Sequence, residues 1–369
     1  MRGSSDLLPQ SDTPAGDKMS NMAAHQQQHV ISAWLRFLTV VFLTLVVASP
    51  ALSQQTDTRT PPELQTADQE IIHGNFSAAA SLLTQLAARQ PEPSGVETRL
   101  GRINYELHAY DKAIPHLELA LKQDPEDAEA AELLGLCYFM EGKSDAALEL
   151  LKQSVPRVTH PLPVALDILG GAYLQAHQFS EARAVFARMY GVPSESAQGH
   201  LIAAQMMIRE DMADEAIPEL QKAVALDPKL PMAHLLLGEA WLSQSHVRPA
   251  LQEFQKELQV NPVQWLAYWR MGDAYSRLGE LIQAEQALEK SIWIDPNFTG
   301  PYILLGRVEL RKGDPALAAR FLEHALKMDP NNYTAHYLLG QAYDKLGRKA
   351  DASREFALTR TLHAEKDKQ

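Results

Sequence analysis

Proline returns every 34 residues in the second half of the chain, at Pro228, Pro262, Pro296 and Pro330, each time directly after an Asp or Asn. A fixed period of this length marks a repeat array, in which one supersecondary unit is copied and stacked. Residue types then have to be explained by their offset within the unit.

The offsets carry steric meaning. Ten residues after the prolines stand Gly238, Gly272, Gly306 and Gly340. Glycine inside a helix costs about 1 kcal/mol relative to alanine, so its recurrence predicts a second helix too close for a side chain. Seven residues further on come Gly279, Gly313 and Gly347, with Ser245 in the first copy. These are placed where a helix ends in an αL cap, which predicts a turn between two helices. Ala250, Ala284, Ala318 and Ala352 are each followed four residues later by Phe254, Leu288, Leu322 and Phe356. Small then large on one helical face makes a slot and a knob. The Asx-Pro pair closes the second helix, because the residue before proline is pushed out of the α region.

This order of glycine, aromatic, glycine, alanine, large apolar residue and proline in 34 residues resembles the tetratricopeptide repeat. The aromatic three residues after the first glycine is Trp241, Tyr275 or Tyr343, with Glu309 in one copy. The resemblance implies an all-α fold, an α-solenoid of stacked antiparallel helix pairs wound into a right-handed superhelix. It also implies first helices lining a concave groove that binds proteins without catalysing a reaction.

Read backwards, the offsets yield about nine units, at 60–93, 94–127, 128–162, 163–196, 197–230, 231–264, 265–298, 299–332 and 333–366, with 367–369 as a tail. The first helix of the first unit is degenerate, with Ala67 at the glycine offset, as suits a terminal repeat. The last helix, around Lys349 to His363, mixes charged residues among its apolar positions and suits a solvent-facing cap. One step departs from 34: Gly135 to Gly170 is 35 residues, across a junction crowded by Pro156, Pro161 and Pro163. An inserted residue in a proline-rich joint predicts a kink or looser contact near 156–163.

Residues 1–29 are polar with no apolar period and read as disordered. Arg36 is followed by a 12-residue uncharged apolar run, Phe37 to Ala48, and then by small residues at Ala51 and Ser53. This resembles a secretory signal over 30–53, cleaved after Ser53 or Ala51, and implies an exported, periplasmic or secreted protein. The run is shorter than the roughly 20 residues that span a bilayer, although counting from Val30 residues 30–48 make a membrane anchor the alternative. Residues 54–59 form a polar linker.

The net charge of −12 persists without residues 1–53, which contain three basic and three acidic residues. An acidic chain disfavours binding to nucleic-acid phosphates or to an anionic membrane surface, leaving contact with a membrane to the N-terminal segment. Cys137 is the only cysteine, so there is no internal disulfide. In a first helix between Gly135 and Tyr138 it reads as a packed apolar residue. Gly142-Lys143-Ser144 imitates the end of a phosphate loop but lacks its first glycine and falls at an inter-helix turn. No zincin, nucleophile-elbow or dinucleotide motif is present, and neither a cofactor nor a metal is expected. His234 and His336 stand at equivalent offsets three units apart, and read as large residues near a helix start rather than ligands of one metal.

By the resemblance, first-helix offsets seven, eleven and fifteen after the proline face the groove. Earlier units place Glu132, Leu136 and Met140, then Asp167, Gly171 and Gln175, then Leu235, Glu239 and Ser243 there, with no basic residue. The last three units place Trp269, Asp273 and Arg277, then Ile303, Arg307 and Arg311, then Tyr337, Gln341 and Lys345. Arginine forks beside aromatics are enriched where partners bind, and they suit a protein or peptide ligand with acidic or carboxylate groups. The candidate partner-binding residues are therefore Trp269, Asp273, Arg277, Arg307, Arg311, Tyr337 and Gln341. The expected function is a scaffold for protein–protein interaction. The alternative is a regulatory or substrate-binding subunit of an envelope or glycan-processing enzyme assembly.

Overall fold

A computed structural model describes residues 61–366; the polar segment, signal or anchor and linker expected at 1–59, and the tail 367–369, lie outside the described residues. Every regular element among them is a helix, and the eighteen helices follow one another in consecutive packed pairs. The pairs are α1 (Pro62–Ile72) with α2 (Phe76–Ala87), α3 (Val96–Glu106) with α4 (Tyr110–Gln123), and α5 (Ala128–Met140) with α6 (Ser144–Ser154). Next come α7 (Pro163–Gln175) with α8 (Phe179–Met189), α9 (Ala197–Arg209) with α10 (Ala213–Leu226), and α11 (Ala233–Ser243) with α12 (Val247–Val260). The last are α13 (Trp265–Leu278) with α14 (Leu281–Ile294), α15 (Thr299–Lys312) with α16 (Pro315–Met328), and α17 (Tyr333–Lys345) with α18 (Lys349–Lys366). This is the all-α solenoid that the period predicts.

The slot and knob meet as the offsets require. A Cβ on Gly272 would lie 2.5 Å from Leu288, and one on Gly238 2.4 Å from Phe254. Gly101, Gly170, Gly306 and Gly340 face Leu117, Phe186, Leu322 and Phe356 in the same way. The knobs are fully buried except Phe356, which is half-buried on the terminal helix α18. Between the two helices of each pair the chain reverses through one αL residue. Gly279, Gly313 and Gly347 hold φ of 79°, 90° and 77°, whereas Ser245, Asp211, His177 and His108 hold φ of 55–64° without being glycine.

The Asx before each proline has two roles. It leaves the helix in an extended conformation, with φ of −140° at Asp227, −131° at Asn261 and −128° at Asp295. Its side-chain oxygen then accepts the N–H two residues on, from Lys229, Val263 and Asn297. That Asx turn is why the position is Asp or Asn and not merely any residue tolerated before proline.

Each second helix packs on the first helix of the next pair, and α6 against α7 is the thinnest contact between successive helices. The looser joint falls where the extra residue and the prolines stand. Polar contacts supplement the thin helix packing there: Leu162 N–H donates to Glu132 Oε1 at 2.9 Å, Arg188 reaches the carbonyls of Val155 and Val158, and Arg157 pairs with Glu126 at 2.6 Å. First helices also pack on the next first helix at α1/α3, α3/α5, α11/α13, α13/α15 and α15/α17, with no comparable packing between successive second helices. From α5 through α11 the first-to-first packing is thinner.

Candidate functional site

The offsets seven, eleven and fifteen are open in the last three units and partly closed earlier. Arg277, Arg307, Arg311, Tyr337 and Lys345 are exposed, and Trp269, Asp273, Ile303 and Gln341 are half-buried. In the third unit, by contrast, Glu132 and Leu136 are buried, because the junction loop and α7 cover them. The expectation that the offset faces an open surface fails for those two residues, where the looser joint folds its loop over α5, and for Leu235, which is buried in the core between α11, α12 and α13.

Offset fifteen forms a ladder. Arg277 Nη1 donates to the carbonyl of Leu242 at 3.3 Å, Arg311 Nη1 to the carbonyl and hydroxyl of Ser276, and Lys345 Nζ to the carbonyl of Leu310 at 3.2 Å. Each acceptor lies in the last turn of the preceding first helix. A cation there meets the negative end of the helix dipole, where the carbonyls of Leu242 and Ser276 also accept the N–H of Ser245 and Gly279 in the following turn. Arg277 also pairs with Asp273 at 2.8 Å, the only direct polar contact among the seven candidates. Arg277 and Arg311 thus tie one unit to the previous one, and their guanidinium groups retain the remaining donors.

Arg307 differs: it is exposed and has no hydrogen bond or ion pair among the described residues. Tyr337 is 47% exposed, with its ring 6.0 Å from Phe356, and Gln341 is without a polar partner among the described residues. Trp269 is held edge-on to Phe298 at 5.0 Å, and Phe298 also contacts Trp265 at 4.7 Å. The Arg270 guanidinium lies 4.1 Å from the Trp269 ring centroid and bonds Glu239 at 2.6 Å. The indole N–H of Trp269 is buried and without an acceptor among the described residues. Arg270, Phe298 and Trp265 escape an offset reading because they sit outside the three facing offsets, although two aromatics flanking a tryptophan were visible.

Burial pushes the Cys137 thiol up to about 12, so it stays protonated and packs as an apolar group. His234 and His336 are buried, each with Nδ1 at 2.6 Å from a carboxylate, Glu253 or Glu355, and Nε2 facing the carbonyl of Pro228 or Pro330. Tyr302 donates its hydroxyl to Pro296 from the same offset. At His234, Tyr302 and His336 this offset therefore carries a polar ring group that meets the proline carbonyl of the loop before it. Among the described residues no group of three or more His, Cys, Asp or Glu is arranged to hold a metal, and no helix is long and apolar enough to cross a membrane.

Comparison with known proteins agrees with the helix pairs. Tetratricopeptide-repeat models match residues 70–137, 266–298 and 309–364, and the model for anaphase-promoting complex, cyclosome, subunit 3 matches 106–189. These matches support the tetratricopeptide-repeat family for this chain. No curated protein matches the sequence. Among solved structures, MamA from Desulfovibrio magneticus RS-1 is 20% identical, with 46% of this chain and 97% of that chain covered and a TM-score of 0.43. Pseudomonas aeruginosa pilF is 17% identical, covering 55% and 97% at a TM-score of 0.44. YrrB, described as a TPR protein with an unusual peptide-binding site, is 18% identical, covering 49% and 97% at 0.41.

Proposed function

We propose that this chain is a non-catalytic scaffold whose row of first helices in the last three units binds a segment of another protein. The packing of α11 on α13, α13 on α15 and α15 on α17 supports a continuous inner face there. The observation that carries the reading is Arg307, a cation exposed on an acidic chain with no partner of its own. A guanidinium without a partner keeps its bidentate fork available to a carboxylate. The ligand is a peptide segment with acidic side chains or a free C-terminus, its backbone met by Gln341 and its apolar groups by Tyr337 and Ile303.

The test is crosslinking mass spectrometry on the parent to identify the partner, followed by capture of that partner with Arg307→Glu. Capture should fall by more than tenfold with helical circular dichroism intact, since the reversal replaces an attraction by a repulsion. Undiminished capture refutes the assignment. Export is part of the reading: the apolar run Phe37 to Ala48 supports a cleaved signal. N-terminal sequencing of the mature protein should begin near Gln54; a mature chain retaining residues 30–48 replaces export with anchoring.

A further inference from the structure

The looser joint between units three and four creates a second site. A cavity of about 700 Å³ opens beside α3 and α5, walled on one side by Ile72 and Phe76 and on the other by the junction loop up to Leu162. Arg102 and Glu106, at offsets eleven and fifteen of the second unit, line it together with Glu132, at offset seven of the third. It therefore occupies the same face as the C-terminal surface, far along the sequence from it.

Charges around this cavity do not balance locally. Arg102 pairs with Glu129, and Arg157 bonds both the side chain and the carbonyl of Glu126. Glu106 is exposed with no ion pair, and His160 is exposed with no partner among the described residues. Glu132 is the decisive group. It is 2% exposed, and its Oε1 accepts the N–H of Leu162, while Oε2 has no hydrogen-bond partner among the described residues. A buried carboxylate normally has a cation or several donors. Burial raises this one to about 7, against the weaker pull of the Leu162 N–H and, after it, of Arg102 and Arg188.

We propose that the cavity receives a lysine or arginine side chain from an extended segment of a protein partner, with Glu132 and Glu106 holding the cation. The aliphatic stem lies on Ile72 and Phe76, which explains why Ile72 stands 81% exposed at the rim of a polar cavity. Long cationic side chains bury their methylenes on apolar surface while the head group pairs beyond it. The site needs the junction loop, because the Leu162 N–H orients Glu132. The extra residue that breaks the 34-residue period thus completes a wall that regular units lack.

The experiment pans a randomised twelve-residue peptide library on the full chain and measures the selected peptides by fluorescence polarisation. Enrichment of Lys or Arg next to an apolar residue is expected. Changing that basic residue to Gln should weaken binding about tenfold or more, as loss of a charge-assisted hydrogen bond does. Glu106→Gln and Glu132→Gln should produce the same loss, with Glu289→Gln on α14 as the unaffected control. Glu106 is exposed, so its variant keeps the test valid even if Glu132→Gln perturbs folding. The proposal is overturned if no basic residue is enriched, if acidic residues are enriched instead, or if Glu106→Gln leaves the affinity of the selected peptides unchanged.

Discussion

Two interior helix glycines should respond to the same substitution with opposite sign. Gly272 in α13 faces Leu288, whose Cγ and Cδ2 would each lie 2.5 Å from an added Cβ, with the Ala284 carbonyl at 3.4 Å. Ordinary carbon contacts lie at about 3.5–4.0 Å, so the leucine fork would have to retreat by roughly 1–1.5 Å. It has no free volume to enter, being fully buried. Overpacking of this kind costs about 1–3 kcal/mol, against roughly 1 kcal/mol gained from alanine's helix propensity. Gly272→Ala should therefore destabilise α13 and α14 by up to about 2 kcal/mol. Gly171 in α7 has no atom within 4 Å of an added Cβ, and Gly171→Ala should stabilise by about 0.5–1 kcal/mol.

Because a solenoid unfolds as a chain of neighbours rather than as one body, a global melt would dilute the effect. Native-state hydrogen exchange followed by mass spectrometry reads the opening of α13 and α14 directly. A double-mutant cycle isolates the contact: Leu288→Ala alone should cost about 2–5 kcal/mol by opening a cavity. In that background Gly272→Ala should lose its overpacking penalty, a coupling of about 1–3 kcal/mol. Gly272→Ala as protected from exchange as Gly171→Ala, or a coupling of zero, would refute the slot-and-knob account.

The turn at Ser245 holds φ of 64° with a side chain, so Ser245→Gly should raise stability by about 1 kcal/mol and Gly279→Ala lower it by a similar amount, measured by urea titration. Glu132 has its folded pKa raised to about 7 from 4.5, so the folded state holds a proton that the unfolded chain has released between those values. Stability should fall as pH rises from about 4.5 to 7, by on the order of 3 kcal/mol at most, and Glu132→Gln should flatten that slope in a pH series of melts. Arg311→Met should loosen the C-terminal turn of α13 by about 1 kcal/mol through loss of the Ser276 contacts, whereas Arg307→Met should leave exchange in α13 and α15 unchanged.

The chain of residues that repeats was enough to read the fold, because each recurring type answers to a contact inside its own unit or the next. Gly272 implied Leu288, Ala284 marked the slot, and Asp295-Pro296 marked the exit of α14. The candidate surface was legible only as a set of facing offsets. Arg277, Arg307 and Arg311 look alike in the sequence, yet Arg307 alone is unengaged. Whether a long side chain reaches a neighbouring carbonyl depends on the spacing and rotation between units, which no single unit encodes.

The same division separates the two ends of the array. The one-residue insertion near Pro156 to Pro163 was visible as a break in period, and its position predicted a looser joint. That the loop would cover Leu136, bury Glu132 and bound a cavity with Ile72 from two units earlier was decided only in three dimensions. A periodic sequence determines the local unit and its partner across one interface, since those contacts recur at constant separation. Surfaces built from several units depend on how small differences at each joint accumulate, and that sum exists only in the folded stack.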